Sequence, residues 1–404
     1  MPEFQSVRGF HDLIGEEAKK FRAVCDLIKR KLALYNFEEI VLPVVEFLEV
    51  FQKSIGEATD IVQKEMFAFQ DKKGRWLALR PEGTAGAVRA YVQNRLYAIK
   101  PYAKLFYEGP MFRHERPQAG RYRQFHQIGA EVFGSIEPVV DAEVIHLVHE
   151  ILSELNLKAV IEINSIGCKV CRPDYREALK QHLNKVEGQL CEVCLDRKDR
   201  NPLRVLDCKV PTCKEAVRDA PKMVDFLCNE CREHYSKLKE YLTALSVPFQ
   251  ENPHLVRGLD YYTKTVFEAV STELGITLIA GGRYDYLVEE LGGPPTPAIG
   301  FAAGVERLYM LLKEIQPEEP LYMVIPFGDV VDYALLVVKA LRSEGKRVEL
   351  SYKRAGLKKQ LELANKLGCR YAVLIGEEEK EGGFYTLKDM ETGQQVRVEF
   401  TPAL

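Results

Sequence analysis

From Glu16 to Leu34 the apolar residues Phe21, Val24, Cys25, Ile28 and Leu32 recur at helical spacing, which predicts a helix with one buried stripe. The next run, Phe37-Glu38-Glu39-Ile40-Val41-Leu42-Pro43-Val44-Val45, has strand character. Pro43 has no N–H to give a ladder, so the strand is expected to end or lie at an edge there. Met66–Phe69 and Trp76–Leu79 flank Asp71-Lys72-Lys73-Gly74 and predict a hairpin, followed by a helix over Thr84–Tyr97. Two long antiparallel strands, 104–115 and 123–134, are expected around a polar loop with Pro117 and Gly120. Helices over 138–155 and 174–187, strands at 265–271 and 276–280, and helices at 284–291 and 304–315 follow.

The stretch Gln316-Pro317-Glu318-Glu319-Pro320 is short, polar and twice broken by proline, the pattern of a linker. Beyond it the texture becomes βαβαβ: strands at 321–326, 347–351 and 371–375 alternate with helices at 329–344 and 356–367, and a hairpin at 383–400 turns at Thr392-Gly393. The fold class expected is α+β. A mixed antiparallel core (1–164 and 251–316) carries a Cys-rich helical insertion (165–250) and is followed by a C-terminal α/β domain (321–404). A chain of 404 residues has room for that division.

Composition adds exclusions. With 46% hydrophobic and 28% charged residues, the chain has the balance of a soluble globular protein and is neither disordered nor collagen-like. No secretory signal and no membrane-length apolar run is visible, so a cytoplasmic location is expected. Lys and Arg total 56 against 59 Asp and Glu, so no global field draws nucleic acid, although local basic faces remain open. Eight of the 10 cysteines fall between Cys168 and Cys231. Clustering of this kind in an intracellular chain points to metal or redox chemistry before structural disulfides.

Alternation along 123–134 puts Phe125, Gln127, Gly129 and Glu131 on one face, a poor packing surface but a usable pocket floor. Gly129 is expected to leave room for a ligand and Phe125 to stack on a base; a solvated strand face is the bland alternative. Arg113, Arg116, Arg121 and Arg123 around one carboxylate, Glu115, suit an anion site, or else a salt-bridged hairpin tip. In Leu255-Val256-Arg257-Gly258-Leu259-Asp260-Tyr261-Tyr262, adjacent tyrosines in a strand would point to opposite faces, so one is expected to be packing. Gly281-Gly282-Arg283-Tyr284-Asp285 fits a close approach of backbone to ligand, or a turn. Arg307 lies at the start of a helix, where the dipole disfavours a cation unless an anion is present. Thr84 in Leu79-Arg80-Pro81-Glu82-Gly83-Thr84 fits either a helix N-cap or, with Glu82, a contact to a cationic group.

Together these segments resemble the histidyl-tRNA synthetase family of class II aminoacyl-tRNA synthetases, over essentially the whole chain. The helix and strand ending at Pro43 resemble motif 1, the homodimer interface of the class. Phe112–Arg116 with Arg123–Gln127 resembles motif 2, and Gly304–Leu308 motif 3. The 255–262 and 281–285 runs resemble the two histidine-specific motifs. The resemblance implies histidine and ATP giving histidyl-adenylate and pyrophosphate, then transfer of histidine to the 3′-terminal adenosine of its tRNA. It implies Arg113 and Arg257 at the α-phosphate as the catalytic cations, with Arg121 and Arg307 on the outer phosphates. Phe125 would lie on the adenine, with Glu115 beside its amino group. Glu82, Gly83, Thr84, Arg113, Gln127, Glu131, Arg257, Tyr261 and Tyr262 would form the histidine site, and Arg116 and Gln118 would meet the tRNA acceptor end. Mg²⁺ on the phosphates is the cation expected.

The C-terminal part resembles the family's anticodon-binding domain, and Lys339–Arg370 carries 10 Lys or Arg against 3 Glu. The rivals are a non-catalytic paralogue serving as regulatory subunit of ATP phosphoribosyltransferase, and a synthetase-like module that binds uncharged tRNA. The first lacks a domain like 321–404 and departs from the catalytic motifs; the second would lose site residues or gain an effector domain. The spacings Cys168-x₂-Cys171, Cys191-x₂-Cys194, Cys208-x₄-Cys213 and Cys228-x₂-Cys231 fit one or two tetrahedral zinc sites, with disulfides and free thiols as alternatives.

Overall fold

The computed structural model describes residues 4–56, 59–118, 120–314, 319–352 and 355–401. The chain forms two units, Met1–Ile315 and Gln316–Leu404. Of the proline-broken stretch between them, Gln316, Pro317 and Glu318 lie outside the described residues.

The first unit starts with the helix Glu16–Leu34, then β1 (Glu38–Glu39), β2 (Val45–Phe47), β3 (Ala68–Gln70) and β4 (Trp76–Leu79). The long hairpin β5 (Ala103–Phe112) and β6 (Gln124–Phe133) follows, then the helix Pro138–Glu154 and β7 (Ala159–Ser165). After the insertion come β8 (Phe249–Glu251), β9 (Thr263–Ser271), β10 (Thr277–Arg283) and β11 (Ala298–Gly304). Eight strands form one sheet in the order β1-β5-β6-β11-β10-β9-β7-β8. It is antiparallel except at its two ends, where β1 runs parallel to β5 and β8 parallel to β7.

Period-two alternation decides what each face of the sheet does. Ile128, Ala130 and Val132 of β6 enter a core with Val24, Ile28 and Leu32 of the first helix and Ile145, Leu147 and Val148 of the helix Pro138–Glu154. Full burial of each large aliphatic side chain stabilises the fold by about 1.5–3 kcal/mol. Of the residues alternating with them on β6, Phe125, Gln127 and Glu131 are turned to a cavity on the other face.

Four predicted elements differ. The run 37–45 is not one strand: β1 takes two residues of it and β2 starts at Val45, with Pro43 in the gap. The helix from Thr84 stops at Gln93, because Arg95 adopts a left-handed conformation, and resumes for one turn over Leu96–Ile99. The helix at 284–291 is one turn, Leu287–Glu290. The helix from 304 covers Val305–Leu311. The segment between β7 and β8 is built of the helices Arg172–Lys185, Glu192–Arg200, Pro211–Val217 and Asn229–Ala244 with short 3₁₀ turns. Its apolar residues belong to the same core cluster as the sheet.

The second unit has the sheet order β13-β12-β14-β15-β16, with β12 (Leu321–Pro326), β13 (Arg347–Leu350), β14 (Tyr371–Ile375), β15 (Phe384–Asp389) and β16 (Gln395–Glu399). The first three strands are parallel and the last two antiparallel. Val324, Val373 and Ile375 pack beneath the helix Val331–Ser343, while Met323, Ile325, Ala372 and Leu374 pack beneath the helix Leu357–Lys366.

Candidate active site

A cavity of about 430 Å³ opens on the face of β6, β10 and β11 away from the first helix, and it has two chemically different ends. At the closed end Glu131 is fully buried. Its carboxylate accepts hydrogen bonds from Thr84 Oγ1 at 2.7 Å, Tyr107 Oη at 3.1 Å and Tyr284 Oη. Burial pushes its pKa up to about 8 against the pull of those hydroxyls, and the nearby Glu82 charge adds to the rise. Glu82 is buried as well and caps the helix that starts at Thr84, accepting from the N–H groups of Thr84 at 2.7 Å and Ala85 at 2.8 Å. Thr84 is therefore not the cap; its hydroxyl is spent on Glu131. Tyr261 and Tyr262 both line the cavity, their ring centroids 4.6 Å apart. They sit in the turn before β9, so the opposite-face rule for strands does not apply to them.

The open end is cationic. Arg113, Arg121, Arg257 and Arg307 all line it. Arg113 lies over the Phe125 ring at 5.3 Å and donates from Nε to the Pro81 carbonyl at 2.9 Å. Glu115 stands 3.9 Å from Arg113 and 3.5 Å from Arg121. Arg307 donates to the carbonyls of Thr277 at 2.7 Å and Gly120 at 3.2 Å. Burial and then the charges of Arg121 and Arg113 hold its pKa below the usual arginine value. Arg257 is paired with Glu268, which also accepts from Thr277 Oγ1 at 2.6 Å. Burial opposes the Arg257 charge, but Glu268 and the two tyrosines outweigh it and raise its pKa. Among the described residues, Gln127 Oε1 and Arg257 Nε are buried without a hydrogen-bond partner. Both residues line the cavity, so a ligand offering a donor and an acceptor would satisfy them.

A closed polar pocket thus continues into a cleft of four arginines. The family model "Histidyl-tRNA synthetase" matches residues 9–308, and the model "Anticodon binding domain" matches 322–404. A histidine–tRNA ligase of Aquifex aeolicus is 68% identical over 398 residues, covering 98% of this chain and 99% of the relative. The chain belongs to the histidyl-tRNA synthetase family. A second relative, from Trichlorobacter lovleyi, is 48% identical over 402 residues, with 98% of this chain and 96% of the relative covered. The solved apo histidyl-tRNA synthetase of S. aureus is 35% identical, with a TM-score of 0.81 over 98% of this chain and 97% of that one. Among the described residues no helix is long and apolar enough to cross a membrane.

Against the family's motifs, the fold gathers most of the residues expected from sequence and leaves a few apart. Glu82, Thr84, Arg113, Glu115, Gln118, Arg121, Phe125, Gln127, Glu131, Arg257, Tyr261, Tyr262 and Arg307 all line the one cavity. Gly83 does not; it makes room for the Tyr107 ring, which a Cβ there would strike. Arg116 is exposed outside the cavity. Gly129 does not leave space for a ligand, because Tyr107 Oη fills it. The Gly281-Gly282 pair is neither turn nor ligand cradle: it lies in β10, where Cβ atoms would strike the Gly300 and Thr265 carbonyls. Arg283 is a fully buried strut, bonded to Asp141 and to the Ser135 carbonyl at 2.8 Å.

Residues that sequence reasoning gave no role include Tyr107, Tyr284, Glu268 and Glu306. Glu306 accepts from the His126 N–H at 2.9 Å and so ties the helix Val305–Leu311 to β6. Tyr284 stands inside the 281–285 motif and Glu306 inside 304–308, the two available signals; Tyr107 and Glu268 are told from ordinary core and surface residues only by their spatial partners. In the second unit the basic count is divided. Lys339 is exposed on the helix over one sheet face, and Lys358, Lys359 and Lys366 on the helix over the other. Arg370 is paired with Asp389 at 2.7 Å, and Lys353 and Arg354 lie outside the described residues.

Proposed function

We infer that the chain is a histidine–tRNA ligase. It joins L-histidine to ATP with release of pyrophosphate, and then passes the histidyl group to the 3′-terminal adenosine of the histidine tRNA. The observation that carries this reading is the continuity of the Glu131 pocket with the arginine cleft. In this reading an imidazole partner stands at one end and phosphate partners at the other, with the carboxylate–phosphorus encounter between them.

In the first step a carboxylate oxygen of histidine attacks the α-phosphorus and pyrophosphate departs. In the second, a ribose hydroxyl attacks the histidyl carbonyl and AMP departs. In our assignment Arg113 and Arg257 hold the α-phosphate and the substrate carboxylate, and their charge is set against that developing in the transition state. Arg121 and Arg307 take the outer phosphates. Phe125 carries the adenine, whose amino group meets Glu115. Glu82, Gly83, Thr84, Gln127, Tyr261 and Tyr262 shape the amino-acid site, with Glu82 facing the α-amino group and Glu131 the imidazole. A pocket built to hydrogen-bond a polar side chain rejects analogues lacking that chemistry by roughly 10⁴ to 10⁵. Mg²⁺ would accompany the ATP phosphates; the Glu268 carboxylate in the same cavity is an oxygen donor suited to it.

The regulatory-subunit reading is not favoured, because the second unit and the arginines of the cleft are both present. We place the chain in the cytoplasm and read it as a homodimer. Support for a dimer comes from the sheet β2-β4-β3, where Phe47, Leu77 and Phe69 stand in one cross-strand row with both phenylalanines about half exposed. The clustered cysteine pairs of the insertion are suited to structural zinc. Histidine-dependent ATP–pyrophosphate exchange, with the other amino acids as controls, tests the ligase reading. Exchange with histidine alone is expected; none from folded protein would move the assignment to the regulatory paralogue.

A further inference from the structure

The four cysteine pairs of the insertion meet two by two. Cys168 and Cys171 join Cys228 and Cys231, while Cys191 and Cys194 join Cys208 and Cys213. Within each quartet all sulfurs lie within 4.8 Å of one another. Cys168–Cys171 measures 3.6 Å, and Cys168–Cys228 and Cys191–Cys208 each measure 3.9 Å. Four thiolates about 2.3 Å from a tetrahedral Zn²⁺ stand about 3.8 Å apart, whereas a disulfide draws two sulfurs to about 2.0 Å. One backbone N–H is also aimed at a sulfur in each quartet, Cys228 N at Cys171 Sγ and Cys191 N at Cys213 Sγ, both at 3.1 Å. Such donors stabilise thiolate ligands and orient them.

Both quartets are linked to the turn that carries Arg257, Tyr261 and Tyr262. Arg172 follows Cys171 directly and donates to the carbonyls of Ile166, at 3.3 Å, and Tyr262. Arg204 lies between Cys194 and Cys208 and donates to the Arg257 carbonyl at 3.1 Å. Asn201, in the same stretch, donates to Asp260 Oδ1 at 3.0 Å. Asp207 and Lys209, the chain neighbours of Cys208 on either side, line the cavity itself. The two ends of the 257–262 turn are therefore each bonded to a residue that lies beside a quartet's ligand or between two of them in the chain.

We propose that the insertion binds two Zn²⁺ ions in Cys₄ sites, and that these ions, through Arg172 and Arg204, hold the 257–262 turn in its working position. Arg172 and Arg204 are positioning residues: they bond to the backbone of the turn and do not reach the reacting atoms. Only the kinetic half of the test rests on the ligase reading.

Metal analysis of the full-length untagged chain, purified without chelator, should return two zincs per chain. Cys168→Ser with Cys228→Ser should return one, and Cys191→Ser with Cys208→Ser should also return one. No zinc in the wild-type chain, before or after incubation with zinc chloride, overturns the sites without recourse to any variant. Arg204→Met leaves every ligand in place and should keep both zincs and the same melting temperature. Its amides across 257–262 should exchange with deuterium faster than wild type. Its kcat for histidine-dependent exchange should fall about tenfold, the loss of one hydrogen bond, with the KM for ATP unchanged and partial rescue in Arg204→Lys. Wild-type amide protection in Arg204→Met overturns the brace whether or not the chain exchanges pyrophosphate. A zinc-loaded wild-type chain inert to histidine and ATP would defeat the ligase reading alone, since the metal count and amide protection are read independently of it.

Discussion

Gly300 on β11 is the register partner of Glu131 on β6, and a Cβ at position 300 would overlap the carboxylate oxygen Oε2. The glycine is what allows a carboxylate to lie flat on the centre of the sheet with three hydroxyls around it. Gly300→Ala should therefore raise the KM for histidine at least about fivefold while the KM for ATP stays near wild type. The cost follows from overpacking a closed site, about 1–3 kcal/mol. Equal rises in both constants in the exchange assay would show that the clash spreads beyond the Glu131 end.

The raised pKa of Glu131 gives a pH dependence with a definite sign. Below about 8 the empty pocket holds a proton on Glu131, and above about 6.5 free histidine has a neutral ring. The complex shares one proton between carboxyl and imidazole, so within that window binding needs no net proton transfer. Above it the pocket must take up a proton, and the KM for histidine should rise about tenfold per pH unit. Below it the second proton brought by histidine must leave, and the KM should rise again. Glu131→Gln should lose the alkaline limb. A wild-type KM that stays flat from about pH 8 to 10 would falsify the assignment of Glu131 to the imidazole.

Arg257 is steered by Glu268, which is itself fixed by Thr277. Arg257→Ala should nearly abolish exchange, by about 10²–10³ in kcat, while ATP binding followed by calorimetry is largely kept. Glu268→Gln should lose less, because the guanidinium remains but its aim is looser. Near-normal exchange by Arg257→Ala would remove it from the α-phosphate.

Arg116 is exposed outside the cavity and Gln118 is at its rim, bridged to Arg121 across the loop tip. If they meet the tRNA acceptor end, alanine at either position should slow transfer about tenfold, near 1.4 kcal/mol for a lost charge-assisted contact. Pyrophosphate exchange should stay within about twofold of wild type. Equal loss in single-turnover transfer and in exchange would assign them to activation instead.

Much of the site was legible because β5 and β6 are local: alternation over ten residues suffices to separate the Phe125–Glu131 face from the Ile128–Val132 face. Short-range rules failed where partners come from afar. Tyr261 and Tyr262 share a cavity because the chain turns before β9, which the strand rule did not foresee. Gly129 reads as an opening in isolation and is a socket for Tyr107, a residue 22 positions earlier on a different strand. The 37–45 run has strand composition throughout, yet only Glu38 and Glu39, against β5, and Val45, against β4, find ladder partners. The charge count over 339–370 was correct as arithmetic and misleading as a picture, since alternate helices of an α/β unit face opposite ways. Cysteine spacing gave the pairs, and the fold gave which pair meets which.

β11 is the last strand of the first unit to be synthesised, yet it lies in the middle of the sheet, between β6 and β10. Until residues 298–304 have emerged, β6 and β10 are both bare edges, and no strand ladder joins the Glu131 side of the pocket to the Arg257 side. A ribosome adding about 5–20 residues per second leaves the β6 edge unpaired for many seconds after it is made. The nascent chain is thus two separate half-sheets, and the late arrival of one glycine-bearing strand turns them into an enzyme.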